Sequence, residues 1–514
     1  MSDLSSDAPP PLSREAREDV ETIAKGGATQ IIGQITSRGV SFFFTLVATN
    51  VVGIAGYGSY RKALQILTIA SQFGLAGFNY SAMHFMSRAR ASKDPAGLKG
   101  AARVSLIGAA IVSTAVLAVL LIAAKPLADS FKGDSDELAR LIRIGAPYVP
   151  LFALMQVLRY CTQAYRTMVP SVIVGNIIQP VARFVIGVAF LVAGLEVAGL
   201  LWSLVASAAI GLAAGVFYFR KMLTERQRAA VPRFDVGKIV RFALPQGGSS
   251  LLGIQSLGLG IIILGFFEAD RAVGLFGVAL ALQGPGGVFL GGIVNIWAPV
   301  VSELYDKREL GRLEALYQTI TRWVITFSFP VFAVLILEAD VFLRLFAPGA
   351  VDGAGAVAIL AVGNFFYTGT GPTGYVLSMS GRPGVNFVNS FVAVILYIVL
   401  GLVIVPEHGL VGMAVVDSAV TALVNTARVI EAKILVGVQP FGRSLLKPIG
   451  AMLLGALVLL LWRLIPGRGT VMDVAGIAIA AGVYVGALGM MGLDAEERYV
   501  WQRIKQRAFK KGAR

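Results

Sequence analysis

Long apolar runs, separated by short charged or Gly/Pro-rich breaks, dominate the chain from residue 26 to residue 492. A helix needs about 20 apolar residues to cross the ~30 Å hydrocarbon core of a bilayer. The runs lack the alternation of barrel strands and are about twice as long as such strands. The pattern therefore predicts an all-α integral membrane protein with about 14 transmembrane helices. Their approximate spans are 26–50, 57–86, 104–124, 144–165, 171–193, 196–219, 242–267, 271–302, 315–337, 353–380, 384–405, 409–433, 448–465 and 471–492.

The composition supports a membrane protein and excludes several other classes. Of the 514 residues, 56% are hydrophobic and 15% are charged, whereas soluble domains carry about 25% charged residues. A soluble enzyme, a disordered chain and a nucleic-acid-binding domain are therefore excluded. The single cysteine, Cys161, permits no intramolecular disulfide. The only histidines, His84 and His408, are far apart in sequence, so we expect no metal site.

The basic residues predict the orientation of the chain in the membrane. The formal net charge is +15, and Lys and Arg concentrate in cytoplasmic loops of membrane proteins. Residues 1–25 are polar and lack the apolar region of a signal peptide. Placing them in the cytoplasm puts the basic loop 220–241 and the basic tail 493–514 on the same side. We therefore expect both termini to be cytoplasmic.

The two halves of the chain resemble each other in sequence. Gly58 aligns with Gly274, and Pro170 aligns with Pro383 at a similar offset. Six spans separate the copies, so both have the same topology and are expected to be related by a pseudo-two-fold axis along the membrane normal. We therefore predict six parts: a cytoplasmic N-terminal tail (1–25), an N-terminal six-helix bundle (26–219), a basic cytoplasmic linker (220–241), a C-terminal six-helix bundle (242–433), two further helices (448–492) and a basic cytoplasmic tail (493–514).

The chain combines six plus six plus two predicted spans with the short motifs Gly56–Tyr60, Gly74–Tyr80, Val273–Phe276, Ala298–Tyr305 and Glu407–Ala414. Together these features resemble the polysaccharide-transporter branch of the MOP superfamily of multidrug, oligosaccharidyl-lipid and polysaccharide exporters. The resemblance covers roughly residues 20–490. It implies an alternating-access flippase, not an enzyme, that moves undecaprenyl-diphosphate-linked oligosaccharide to the outer leaflet of the bacterial inner membrane. The implied partners are this glycan lipid, membrane lipids, a polysaccharide polymerase and glycosyltransferases, but no nucleic acid.

Basic side chains inside the predicted spans are the candidates for substrate binding. Charges at the bilayer centre cost about 2.5–3.5 kcal/mol each and normally face a wet cavity or a partner. Four of them lie in the N-terminal half, where no acid lies deep in a span: Arg38, Arg61, Lys62 and Arg183. Arginine grips phosphate oxygens with its planar fork, which suits a diphosphate. The alternative is that these side chains snorkel to the membrane interface.

One acid and several polar residues complete the candidates. Asp417 is a candidate site for a coupling H⁺ or Na⁺. The alternatives are that membrane potential drives transport and that the carboxylate is only a structural hydrogen-bond partner. Polar residues that are candidates to line the cavity are Gln34, Asn176, Gln255, Asn295 and Asn389; such residues also join neighbouring helices. Pro285, Gly286 and Gly287 predict a bend that acts as a gate hinge. No cofactor is expected.

Three other functions compete with this interpretation. A peptidoglycan-precursor lipid flippase matches the same features. A multidrug or cation antiporter of the same superfamily needs acids for its substrates, and the cationic N-terminal half disfavours it. A membrane glycosyltransferase or polymerase needs acidic or histidine groups, commonly in a large outer loop, and the longest outer loop predicted here is short. The glycan, the driving force and the oligomeric state stay open.

Overall fold

The structure is a computed structural model that describes residues 14–251 and 258–491, with no side-chain description for 14–28, 249–251, 295 and 296. Within these residues the chain is helical and contains no strand. The membrane helices and their connecting helices are α1 (Arg14–Leu75), α2 (Phe78–Ala91), α3 (Pro95–Asp129), α4 (Ser135–Gly145), α5 (Tyr148–Gln163), α6 (Val169–Val172), α7 (Gln179–Val192), α8 (Glu196–Met222), α9 (Glu225–Ala229), α10 (Val236–Leu251), α11 (Leu259–Phe267), α12 (Asp270–Gln283), α13 (Val288–Asp306), α14 (Leu310–Leu337), α15 (Ala339–Leu343), α16 (Ala354–Gly369), α17 (Thr373–Met379), α18 (Pro383–Glu431), α19 (Leu446–Arg463) and α20 (Thr470–Met491).

Helix α1 is a hairpin of two helices joined at Gly53, whose φ of 74° lies in the left-handed region. The ring centres of Phe44 and Tyr60 are 6.2 Å apart. In a continuous helix these residues would be separated by about 24 Å, so the chain reverses direction between them. Glycine is favoured at the turn because it adopts positive φ at no steric cost.

Helix α18 is a second hairpin, joined at Gly409, whose φ is 50°. The Tyr397 hydroxyl donates a hydrogen bond of 2.7 Å to Oδ1 of Asp417. These residues would lie about 30 Å apart in a continuous helix. The predicted spans 384–405 and 409–433 are therefore the two arms of α18.

Eleven stretches of the described residues are long and apolar enough to cross a membrane. Two of them, Thr29–Ala91 and Pro383–Val436, are 63 and 54 residues long and contain the two hairpins. Each hairpin supplies two spans, which explains most of the difference from the predicted number. The predicted span 242–267 includes 252–257, which lie outside the described residues.

Two repeat-related glycines pack directly against each other's helix. A Cβ on Gly58 would lie 1.8 Å from the carbonyl oxygen of Asp270. A Cβ on Gly274 would lie 2.0 Å from the carbonyl oxygen of Ile54. Any larger residue at either position would force the two backbones apart, so the close approach of these helices requires glycine.

The chain folds into two compact units, taking only the described residues of each range. Unit 1 consists of Met1–Phe44, Ser59–Ile262 and Gly291–Pro299. Unit 2 consists of Thr45–Gly58, Ile263–Leu290 and Val300–Arg514. In unit 1, helices α2, α3, α5 and α10 enclose a buried apolar cluster that includes Phe78, Met86, Leu98 and Ile239.

Polar contacts attach the C-terminal hairpin α19–α20 to the rest of unit 2. The Tyr484 hydroxyl donates a 2.7 Å hydrogen bond to the carbonyl oxygen of Thr326 on α14. A group of charged residues also joins the hairpin to the end of α14 and to α15, and we call it the Arg468 cluster. Its members are Glu338, Asp340, Arg344, Arg463, Arg468 and Asp473.

Candidate functional site

Arg183 on α7 is held over two aromatic rings of unit 1. Its guanidinium carbon lies 4.8 Å from the ring centre of Phe44 and 5.6 Å from that of Tyr60. Gly187, one turn along α7, makes room for this packing because a Cβ there would lie 2.6 Å from Cε2 of Phe44. The electron-rich ring faces attract the cation. Three helical segments therefore fix a positive charge within the membrane-spanning part of unit 1.

Arg38 and Gln34 lie one turn apart on the first arm of α1. Arg38 is exposed on the helix surface. The Oε1 atom of Gln34 is buried and accepts no hydrogen bond from the described residues. Gly291 on α13 leaves space beside both side chains, because a Cβ there would lie 2.6 Å from Gln34 Oε1 and 3.8 Å from Arg38 Nη2. Both side chains therefore pack beside the bare backbone of Gly291.

Asn176 lies against Gly33, the residue before Gln34, on a neighbouring helical segment. A Cβ on Gly33 would lie 2.3 Å from Cγ1 of Val172 and 3.1 Å from Cβ of Asn176. The missing side chain at Gly33 therefore lets α1 approach the π-helical turn Ile173–Ile178 closely. Asn176 therefore packs against the turn of α1 that carries Gln34.

Arg159 on α5 is a half-buried cation inside the predicted span 144–165 that was not among the predicted substrate-binding residues. Its guanidinium donates to the carbonyl oxygen of Ser171 at 3.0 Å, to Oε1 of Gln156 at 2.6 Å and to Oδ1 of Asn176 at 3.3 Å. A Cβ on Gly175 would lie 2.1 Å from its central carbon, so the guanidinium packs against bare backbone. Its position inside the apolar run 144–165 is the sequence signal that could have identified it.

The π-helical turn beside Arg159 has a local cause. Pro180 lacks an N–H and its ring crowds the preceding turn of a regular helix. The wider turn at Ile173–Ile178 precedes this proline and relieves the crowding. Such π-helical turns are often found at functional sites. Here the turn carries both Asn176 and the glycine that contacts Arg159.

Arg61 and Lys62, on the second arm of α1, have different surroundings. Lys62 is fully buried, and its Nζ donates a 2.5 Å hydrogen bond to the carbonyl oxygen of Lys132. This contact ties the α3–α4 connection to the membrane helix. The Nε of Arg61 is buried and makes no hydrogen bond to the described residues. Lys62 therefore supports a loop, whereas Arg61 keeps an unused donor.

The predicted polar residues of unit 2 lie between the arms of α18. Asp417 accepts the hydrogen bond from Tyr397 described above, and Asn389 donates to Glu431. Arg428, a cation inside the predicted span 409–433, donates to Ser390 at 3.2 Å. These contacts join the two arms of the hairpin, so the structure gives Asn389 a partner within its own hairpin.

The predicted bend is present as a break between α12 and α13. Pro285–Gly287 forms a three-residue 3₁₀ turn. Gly286 packs against the ring of Phe332, where a Cβ would lie 2.3 Å from Cζ. Of the remaining candidates, Gln255 lies outside the described residues, and the side chain of Asn295 is not described. The described residues contain no cluster of three His, Cys, Asp or Glu side chains able to hold a metal.

Comparison with known proteins agrees with this architecture. An uncharacterized membrane protein of Bacillus subtilis (strain 168), YabM, is 24% identical over 509 residues, which cover 92% of this chain and 94% of YabM. The lipid II flippase MurJ in an inward closed conformation superposes with a TM-score of 0.73 at 13% identity, over 90% of this chain and 98% of MurJ.

A multidrug resistance transporter of the MATE family of the MOP superfamily, in an inward-facing conformation, superposes with a TM-score of 0.66 at 16% identity, over 80% of this chain and 98% of the transporter. These two structures establish a MurJ- and MATE-like fold. The family model for polysaccharide biosynthesis proteins matches residues 23–305. The chain therefore belongs to the polysaccharide biosynthesis protein family, whose fold here is that of MOP-superfamily membrane transporters.

Proposed function

We propose that the protein is an alternating-access flippase that moves undecaprenyl-diphosphate-linked oligosaccharide from the inner to the outer leaflet of the bacterial cytoplasmic membrane. The observation that carries the proposal is the set of cations in the membrane helices of unit 1, where no acid lies away from the helix ends. A diphosphate is an anion that such an environment stabilises. Family membership supports a glycan as the cargo.

Arg38 and Arg183 are the two cations with the best surroundings for this role. Arg38 is exposed beside the buried Oε1 of Gln34, which offers an acceptor for a sugar hydroxyl. Arg183 keeps its charge within the membrane through the two aromatic faces. Arg159, in contrast, uses its donors on protein groups and is proposed to position Asn176.

The proposal is tested with Arg38→Ala and Arg183→Ala in purified protein reconstituted into liposomes. Loss of a charge-assisted hydrogen bond costs about 1.5–3 kcal/mol, so flipping of the glycan lipid should fall by roughly tenfold or more. Lysine at either position should restore only part of the flipping activity, because its ammonium group cannot bind two phosphate oxygens as the planar guanidinium does. Arg226→Ala, which removes an exposed linker cation, is the control. Normal flipping by both alanine variants would contradict the proposal.

A peptidoglycan-precursor flippase is the second candidate, favoured by the superposition on the lipid II flippase MurJ. A multidrug or cation antiporter is the third, favoured by the MATE superposition. The three are separated by offering one reconstituted preparation a lipid-linked oligosaccharide, lipid II and a cationic drug. The proposal requires that the first be flipped fastest and that the third be left untransported.

The energy source is proposed to be membrane potential, which acts on moved charge at about 2.3 kcal/mol per charge per 100 mV. The alternative is a proton or sodium ion bound at Asp417. Asp417→Asn should keep its activity and voltage dependence under the first scheme and lose ion-gradient dependence under the second. Tyr397→Phe is the matched control, because it removes the hydrogen bond but leaves the carboxyl group. Absence of stimulation by potential alone would reject the first scheme.

The proposed setting is the bacterial inner membrane, with both termini in the cytoplasm. Glycosyltransferases and a polysaccharide polymerase are the expected functional partners. The glycosyltransferases must make the lipid-linked unit, and the polymerase must join the units after transfer. Co-purification of either class with the tagged protein, and its loss from a strain lacking the glycan genes, tests this expectation.

A further inference from the structure

A pocket of about 200 Å³ lies in unit 1, at the end that carries the basic linker. Its walls come from α2, from the start of α3 and from the segment leading into α10. Phe85 and Ile239 form apolar walls, and Arg88 and Lys238 bring positive charge. The pocket is amphipathic, with a positively charged side and an apolar side.

Packing between α2 and α10 brings Arg88 and Lys238 to the same place. The ring of His84 stacks on that of Phe242 with centres 4.6 Å apart, and Phe85 meets Phe242 edge to face at 5.7 Å. The pocket lies one turn beyond these rings along both helices. Arg88 therefore lines the pocket from α2, and Lys238 lines it from α10.

Hydrogen bonds attach the basic linker to α3 and so hold the pocket walls in place. The Nζ of Lys99 donates to the carbonyl oxygens of Arg228 and Ala230 at 2.5 and 2.9 Å. The backbone N–H of Arg233 donates to the carbonyl oxygen of Ala96 at 3.0 Å. Gly100 permits this approach, since a Cβ there would lie 1.8 Å from the carbonyl oxygen of Arg233.

Both acids that line the pocket, Asp94 and Asp235, are paired with Arg233. Nη2 of Arg233 donates to Oδ2 of Asp94 at 2.6 Å, and its Nε lies 3.8 Å from Oδ2 of Asp235. The Gly97 N–H, together with Arg233, holds the pKa of Asp94 below its usual value. Arg88 and Lys238 are exposed and form no ion pair or side-chain hydrogen bond with the described residues. Two cations are therefore available to an incoming anion.

We propose that this pocket binds the phosphate of an anionic lipid head group, with Arg88 and Lys238 holding the phosphate oxygens and Phe85 and Ile239 contacting the glycerol and upper acyl carbons. The volume is below the roughly 300 Å³ at which drug-sized ligand sites begin and suits a head group. Clustered Lys and Arg at the end of a membrane helix also suit anionic lipids. This lipid site goes beyond the proposed transport function.

The test compares the double variant Arg88→Gln/Lys238→Gln with the control Arg226→Gln/Arg241→Gln. The control removes two exposed cations that do not line the pocket. The lipid affinity of each detergent-purified protein is measured by native mass spectrometry with phosphatidylglycerol and with phosphatidylcholine. Wild type and control should prefer phosphatidylglycerol, and the double variant should bind it roughly tenfold or more weakly.

Free phosphate is distinguished from lipid by a second arm with inorganic phosphate and with glycerol phosphate. Competition by both at millimolar concentration would assign the site to soluble phosphates and overturn the lipid proposal. An equal loss of phosphatidylglycerol affinity in the pocket variant and the control variant would show a general charge effect and would also overturn the lipid proposal. Should the double variant fail to fold, Lys238→Gln alone must lower the preference for phosphatidylglycerol, and Arg88→Lys must retain it.

Discussion

Removing Arg468 should loosen the C-terminal hairpin, because two buried carboxylates depend on it. The side chains of Glu338 and Asp473 are each 2% exposed. Nη1 of Arg468 lies 3.6 Å from Oε1 of Glu338 and 3.2 Å from Oδ1 of Asp473. At an effective dielectric constant of about 20, each pair attracts by roughly 5 kcal/mol before desolvation is subtracted.

The net loss for Arg468→Met is expected to be about 3 kcal/mol. Breaking a buried pair typically costs 3–5 kcal/mol, because a charge is left without its partner. The lower end applies here for two reasons. Nη1 of Arg468 makes no hydrogen bond to these carboxylates, and Asp473 keeps a second partner in Arg344, whose Nη1 lies 3.0 Å from its Oδ2.

Backbone hydrogen exchange of α20, measured by mass spectrometry in detergent micelles, reports this local opening. A loss of about 3 kcal/mol raises the opening equilibrium, and with it the exchange rate, by roughly 100-fold. Arg463→Met is the matched control. Arg463 is half exposed and lies 3.8 Å from Glu338, so its removal should cost at most about 1 kcal/mol.

Exchange of α20 in Arg468→Met that matches wild type would refute the reasoning. Equal acceleration in the Arg468 and Arg463 variants would refute it too, because burial is the property that separates the two arginines. Exchange in α3, which belongs to unit 1, provides the internal reference and should stay unchanged in both variants.

Three further predictions follow from single residues. Burial raises the pKa of the Glu338 carboxyl above its usual value, so the folded state binds the carboxyl proton more tightly than the unfolded state does. Stability should therefore fall as pH rises from the pKa of the unfolded state through the pKa of the folded state. Glu338→Gln should flatten that part of the stability–pH curve. Gly286→Leu should destabilise unit 2 by about 1–3 kcal/mol and slow transport, because the ring of Phe332 occupies the position of the new side chain. An unchanged denaturation midpoint and transport rate would show that the turn Pro285–Gly287 accommodates a large side chain. In a Cys161→Ala background, Ala229→Cys should react with an impermeant thiol reagent only in inverted vesicles, and labelling in intact cells would reverse the topology.

Much of the architecture was predictable because membrane helices obey a local rule. Each backbone polar group in a bilayer must be satisfied within its own helix, so length and hydropathy alone locate the spans. The break at Pro285–Gly287 was predicted for a related reason, since proline removes a backbone donor wherever it occurs. Family resemblance was also carried by short local motifs such as Gly56–Tyr60.

What the sequence alone determined is therefore the class of protein, the helices and the excess of cations in the N-terminal half. Only the tertiary structure decided what each cation contacts. Arg159 and Lys62 carry the same charge, yet one contacts Asn176 and Gly175 and the other binds a loop carbonyl. Those partners are many residues distant in sequence, and glycines such as Gly33 allow the close approach that brings helices together. Helix periodicity reports which side of a helix is apolar, but contacts between helices depend on how two surfaces fit, and that information is not local.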